Sequence, residues 1–587
     1  MPSSSTPRGA SVHYRVEAAD LHAHLFHVTL TIAQPAAQQR ISLPAWIPGS
    51  YLVREFARHL QRLTARQDSR TVATQQLDKC NWLIECVPSS PLVLSYEVYA
   101  FDNSVRTAWL DTQRGFFNGT SLCLKVHEQE NAVHSLELVA VAAKANWEVA
   151  TGLAPHRIGK RGFGTYLAAD YDELVDCPVE MGEFWSGEFK AGGVPHRLVV
   201  AGASESLDHA RLLADVHKIC ETEIRFWHDR KRPPHKSYLF MLNVVDDGYG
   251  GLEHRNSTAL IASRRDLPRQ GDARLTDGYI TLLGLISHEY FHTWNVKHLR
   301  PAEFTHYDYA GENYTQLLWF FEGFTSYYDD LLLRRAGLID EATYLKLLNK
   351  TINQVMQTPG REVQAVAQAS FDAWVKYYRQ DENTANATVS YYTKGALVAL
   401  CFDLTLRAEG HTTLDEVMRA LWLRCKAGPM TEADFAAVLK DLGGRAFTRE
   451  IAAWVHGTRE LPLEEVLQPQ GVAVLEEPAQ LQQRLGLRVT ETSGIVIKTV
   501  LRGGAAEQAG FAANDEWVGI EVGGTGWRLT KLDDLLLYAG SHRKLTALVA
   551  RDRRLLRLEL NLPASVTTWR LVLRDAAQAQ PWLAAHS

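Results

Sequence analysis

The chain has 587 residues, 46% hydrophobic and 22% charged, with a formal net charge of −6. That length exceeds what one hydrophobic core supports and predicts three or four domains, while the ordinary apolar and charged fractions predict a globular fold. The mild negative charge argues against general nucleic-acid affinity, and no apolar run is long enough to span a bilayer.

The opening MPSSSTPRGA lacks the apolar core of a secretory signal, so residues 1–11 read as a disordered tail. Residues 12–175 alternate apolar and polar in the manner of strands, as at 12–16, 25–32 and 92–99, with turn-rich breaks between. This predicts an N-terminal β-sandwich-like domain. Two apolar loops stand out in it, PAWIPGS at 44–50 and RGFFNGT at 114–120. The second carries Phe116 and Phe117. Seven cysteines are spread along the chain with no C-x-x-C pair, which reads as free thiols in a reducing compartment and predicts a cytoplasmic protein.

From 176 to 460 the pattern changes to mixed helix and strand. Residues 207–227 have helical spacing, 238–245 read as a strand, and Gly248-Tyr249-Gly250-Gly251 marks a bend before a strand at 252–261. A glycine bend entering an edge strand lets the backbone of an extended peptide pair with it. Helices are predicted at 341–357, 394–408 and 413–425.

Within this region an apolar helix carries His-Glu-Tyr-Phe-His at 288–292. Residues four apart share a helix face, so the imidazoles of His288 and His292 can hold one metal ion. Glu289, one position round, can take a proton from a water on that ion. A catalytic zinc needs a third protein ligand. Glu322, in Trp-Phe-Phe-Glu-Gly at 319–323, is the candidate, because an unpaired carboxylate in so apolar a helix is costly. His254, His298 and His306 are the alternatives.

Residues 465–562 return to short strands and helices: a strand at 494–500, a turn and short helix through 503–511, a strand at 515–520 and a helix at 531–538. The order resembles a PDZ domain. Leu485, Gly486 and Leu487 would be its carboxylate-binding loop, and Asn514 stands where such domains often have glycine, a mild departure because asparagine tolerates left-handed backbone. The last residues, within 563–587, read as an Ala/Gln-rich tail.

HEYFHTW from His288 and WFFEGFTSYY from Trp319 resemble the metal helices of the gluzincin aminopeptidases, which share a thermolysin-like catalytic fold. HEYFHTWNVKHLRP at 288–301, SYYTKGALVAL at 390–400 and LPAWIPGSYLVREFARHL near the N-terminus are similar to the glycyl aminopeptidase family, which ends in a PDZ domain. One departure from the aminopeptidase N family is a longer gap between ligands, 30 residues (322 − 292), with the extra length at 300–313.

The resemblance implies a zinc metallopeptidase with one zinc per chain and peptide substrates, releasing small N-terminal residues such as Gly and Ala. It implies an oxyanion donor at Tyr392, with Tyr391 the alternative, and a glutamate at 253 that grips the free amine. Tyr249, Phe116 and Phe117 would crowd the pocket for the first residue, beside Gly250 and Gly251. Rival expectations are an endopeptidase or oligopeptidase recruiting proteins through the PDZ domain, and a non-catalytic scaffold whose PDZ domain holds a C-terminal peptide. The intact Glu289 and Tyr392 speak against the scaffold.

Overall fold

Strict alternation over Leu25–Ile32 puts every second side chain in a core, and this strand lies inside an eight-stranded sheet. The computed structural model describes residues 10–229 and 232–584, so nearly all of the tail expected over 1–11 lies outside the described residues. In order across the eight-stranded sheet are Ala154–Ile158, Gly164–Ala168, His134–Leu138, Val12–Asp20, Leu25–Ile32, Leu92–Tyr99, Leu60–Gln67 and Arg70–Val72. Two four-stranded sheets complete an N-terminal β-rich domain, and one hydrophobic cluster running from Val12 to Met181 fills it.

The loop expected at 114–120 is mostly regular. Arg114–Phe117 is a strand paired on both sides, and Gly119–Leu122 is a helical turn. Phe116 and Phe117 are 2% and 1% exposed, and Phe117 meets Phe26 edge to face in the core. Both lie in the hydrophobic core of the N-terminal domain, where this apolar run forms the inside of a sheet.

The chain divides into two compact units. One runs to Asn313 and includes Cys425–Pro429; the other holds Tyr314–Arg424 and everything from Met430. The boundary expected at 175/176 lies inside the first unit, whose second part is a five-stranded sheet. Its strands are β1 (Trp185–Ala191), β2 (Val194–Ala201), β3 (Tyr238–Val245), β4 (Tyr249–Glu253) and β5 (Ser257–Ser263), in the order β1-β2-β3-β5-β4. β3 is apolar but for Asn243 because it is central, with parallel neighbours on both sides. The single strand expected at 252–261 is two, turning at 254–256, which leaves β4 on the sheet edge. Helix α1 (His209–His228) is amphipathic and packs against α2 (Asp277–Phe291), almost all of which is buried.

The second unit is a helical lobe followed by a sheet module. The segment expected as one metal-binding helix is broken at Glu322 into α3 (Leu318–Phe321) and α4 (Gly323–Arg335). α5 (Glu341–Met356) and α6 (Thr393–Glu409) follow. The module is built on the strands Leu487–Thr490, Ile495–Val500, Glu516–Val522, Lys544–Arg551 and Arg554–Asn561, with three short helices and its own core. Asn514 is left-handed, with φ +69°. Val472–Pro478 and Thr567–Leu573 pair antiparallel as a neck through which the chain enters and leaves the module.

The expected Ala/Gln-rich tail is structured as far as 584. After the neck, α7 (Ala576–Leu583) returns to the lobe, where Trp582 is fully buried and its indole N–H donates to the Tyr327 hydroxyl at 2.9 Å. Among the described residues no helix is long and apolar enough to cross a membrane.

Candidate metal centre

α2 begins at Thr276, whose hydroxyl accepts the Tyr279 amide at 3.1 Å, and ends at His292. Its apolar residues place the helix between sheet and α1, and three polar pairs fix its rotation. Asp215 and Glu223 on α1 accept from the hydroxyls of Tyr279 and Ser287, each at 2.9 Å, and His228 accepts the Trp294 indole N–H at 2.7 Å.

The face so fixed carries His288, half-buried, and His292, fully buried. Their Nε2 atoms lie 3.0 Å apart with the rings nearly perpendicular. His292 Nδ1 lies 2.8 Å from the carbonyl of Asn295, so Nδ1 carries the proton and Nε2 keeps its lone pair for a metal. That carbonyl is turned back by an unusual backbone: Val296 has φ +134°, a strained value for a β-branched residue.

Glu289 is 5% exposed and lies against β4. A Cβ at Gly251 would stand 2.1 Å from Glu289 Oε1, so only glycine lets the edge strand run this close to the carboxylate. Arg106 donates to the Gly251 carbonyl at 3.0 Å and braces the strand from its open side. Glu253, at the strand end, is 4% exposed, and a Cβ at Gly49 in the PAWIPGS loop would stand 2.6 Å from its Oε1. That loop is anchored to the inserted segment 300–313: the Trp46 indole donates to the Asp308 carbonyl at 2.7 Å and the Ala45 amide to the Tyr309 carbonyl at 2.8 Å. Glu253, Glu289 and His292 each offer a ligand atom within 4.8 Å of the others.

Behind Glu253, His254 Nδ1 and the Lys297 ammonium lie 3.2 and 2.9 Å from the same oxygen of Asp176. Burial opposes ionisation of Asp176, but Lys297, His254 and Arg255 outweigh it and hold its carboxyl well below the usual range. Lys297 is fully buried, which lowers its pKa, yet Asp176 raises it above the ordinary lysine value. His254, weighed as a metal ligand, is committed to this ion cluster, and His298 Nδ1 to the Thr293 carbonyl at 2.6 Å. Tyr249 is 66% exposed at the start of β4.

In the second unit Glu322 is 2% exposed at the break between α3 and α4. Tyr392 is the half-buried N-cap of α6, and its hydroxyl lies 3.0 Å from that of Tyr378. Tyr391, stacked on it at 4.7 Å, is fully buried. Burial and the Glu322 carboxylate push the Tyr392 phenol well above its ordinary value, so it is a hydrogen-bond donor at neutral pH. In the module, Leu485 and Leu487 are buried, and Gly486 is left-handed with φ +69°.

His288 and His292 offer two imidazoles to a metal ion, and Glu322 is the carboxylate expected as their third ligand. Two imidazoles and a carboxylate are the donor set of catalytic zinc, and the proton on His292 Nδ1 presents the correct tautomer. Sequence reasoning missed Gly49, Arg106, Asn295 and the Asp176–Lys297 pair. Of these Asn295 and Lys297 carried a signal, standing within HTWNVKH, and Gly49 another, standing within PAWIPGS.

The model of the M61 glycyl aminopeptidase family matches residues 281–398, and that of the M61 N-terminal domain matches 13–183. A crystal structure of an aminopeptidase N family protein from Idiomarina loihiensis is 36% identical, covering 97% of this chain and all of its own, with a TM-score of 0.93. An M1 zinc metallopeptidase from Deinococcus radiodurans matches at 15% identity over 78% of this chain and 96% of its own, with a TM-score of 0.46. Among curated proteins none matches.

Proposed function

The chain belongs to the M61 glycyl aminopeptidase family and is a zinc metallopeptidase acting on peptides; from that premise we propose that it releases small residues, Gly and Ala, from free N-termini. One zinc per chain would be held by His288, His292 and Glu322. When bound, it would lower the pKa of a coordinated water to about 7 and polarise the scissile carbonyl. Glu289 accepts the proton of the attacking water and returns it to the leaving amine. Tyr392 donates to the developing oxyanion. Glu253 holds the substrate's ammonium group, and β4, opened by Gly250 and Gly251, aligns its backbone.

The observation that carries the exopeptidase reading is the trio of Glu253, Glu289 and His292. A second carboxylate beside the base gives the ammonium of a free N-terminus a charged partner next to the scissile bond. The module's strand and helix order, with Leu485 ending a short helix, Gly486 capping it and Leu487 opening the edge strand, supports a PDZ-like domain over 465–562 that takes a C-terminal peptide. The seven free cysteines support a cytoplasmic setting.

The test is metal analysis with paired substrates. About one zinc per chain is expected, lost in His292→Ala. Free-amine peptides should be cleaved roughly ten- to a hundredfold faster than their N-acetyl forms, the worth of one charge-assisted contact, and Glu253→Gln should narrow the gap. Equal rates with internal cleavage of longer chains would make the enzyme an endopeptidase.

A further inference from the structure

We propose that Gly323 and Gly395 form a backbone contact that positions Glu322 against Tyr392, making both glycines positioning residues of the reaction. The inference rests on reading Glu322 as the third ligand and Tyr392 as the oxyanion donor.

Both glycines are buried, Gly323 as the first residue of α4 and Gly395 in the first turn of α6. Neither has a positive φ that would require glycine. What requires it is proximity. A Cβ on Gly323 would stand 2.5 Å from Gly395 Cα, 2.7 Å from its carbonyl carbon and 2.8 Å from the Tyr391 carbonyl oxygen. A Cβ on Gly395 would stand 2.6 Å from the Trp319 carbonyl oxygen and 2.9 Å from Gly323 Cα. Every one of these neighbours is main chain, so no side-chain rotation can relieve the clash. α4 and α6 touch backbone to backbone, closer than helices separated by side chains.

The contact sits where the chemistry starts. Gly323 follows Glu322 directly, at the break between α3 and α4, where the Glu322 amide is bonded to the Leu318 carbonyl at 2.8 Å and its carbonyl to the Ser326 amide at 2.9 Å. Gly395 lies in the first turn of α6, where the Gly395 and Ala396 amides bond the carbonyls of Tyr391 and Tyr392 at 3.1 and 2.9 Å. Each glycine is therefore tied by rigid helix to one functional residue. A methyl group at either glycine must open the contact by roughly 1 Å, and misplacement of that size costs about a hundredfold in rate.

The test is a double-mutant cycle with zinc titration on the full chain. G395A should lower kcat about a hundredfold while zinc stays bound. In a Y392F background the further loss from G395A should be less than about threefold, because the displaced donor is already gone. G323A should weaken zinc affinity about tenfold or more. L404A, a cavity variant deep in α6, removes stability without touching the contact, and its folded fraction should keep the parent kcat. G395A costing the same factor with and without the Tyr392 hydroxyl, or L404A losing kcat equally, overturns the proposal. Unchanged kcat in Y392F overturns the donor assignment alone. The glycines are then judged by zinc affinity in G323A, where parental affinity overturns them. Should G323A not fold, G395A and its cycle decide.

Discussion

Glu289 and His292 sit on one turn of one helix, yet their replacements should behave differently. Glu289→Gln keeps the volume and the hydrogen-bonding reach against Gly251 but removes the base. Zinc content should stay at the parent level while kcat falls by at least a hundredfold, the usual contribution of a positioned general base. Loss of metal in that variant would make Glu289 a ligand instead. These roles were legible because i, i+4 spacing is a local property of a helix. The carbonyl of Asn295 was not, because its direction depends on the strained backbone at Val296. The PAWIPGS loop stood out in the sequence, but only the folded chain shows the Glu253 carboxylate against its Gly49.

At the level of elements, α2 stands on a buried polar network. Tyr290 bonds His196 Nε2 at 2.8 Å, and His235 lies 3.4 Å from the same hydroxyl. Burial lowers the pKa of His196 to about 4, and burial together with neighbouring histidines lowers that of His235 to about 2. Both are therefore neutral in the folded state and titrate near 6.5 when unfolded. Their contribution is complete above about pH 6.5 and is lost as pH falls, by about 1.4 kcal/mol per pH unit for each site until its folded pKa is reached. Thermal unfolding should drop markedly between pH 7 and pH 5, with zinc bound and after chelation alike. A flat Tm over that range in the chelated protein would mean that these rings are solvated.

α4 and α6 are held by a second buried network. Tyr327 donates to Asp403 at 2.6 Å, Tyr328 to Asp415 at 2.9 Å, and Arg335 and Arg407 pair with Asp415 and Asp403 at 3.0 and 2.9 Å. Trp582 of α7 closes it, accepting Arg335 through its carbonyl at 3.0 Å. Trp582→Ala should destabilise the protein by about 3–5 kcal/mol, read by urea unfolding. A loss under 1 kcal/mol would return α7 to the tail that its composition suggested. That composition misled because Ala and Gln mark no core by themselves, and one tryptophan anchors the helix.

On the scale of the whole molecule, the module leaves and rejoins the lobe at one place, since Pro478 and Thr567 are partners in the neck. Replacing 479–566 by a short turn should leave dipeptide hydrolysis measurable and change the handling of longer peptides. A folded but inactive product would make the module part of the catalytic machinery. The three asparagines that dock neck and module to the lobe, Asn349, Asn353 and Asn386, do so through backbone partners such as Leu571, Trp569 and Val500. Side chains that read backbone leave no pairing in composition or periodicity, so the sequence could delimit the module without showing that it is held.

The sequence by itself determined what is local. The alternation of Leu25–Ile32, the two histidines one turn apart and the carboxylate in an apolar helix each follow from a repeat of 2 or 3.6 residues, and the apolar stretch of β3 from its composition. It also carried the family, because the metal motifs are contiguous strings. Tertiary structure alone decided that Phe116 and Phe117 face a core, that Glu322 lies at a helix break, that Gly323 and Gly395 meet, and that the last helix is a buried anchor. These depend on which distant segment lies opposite, and a single chain does not encode that pairing in any window short enough to read.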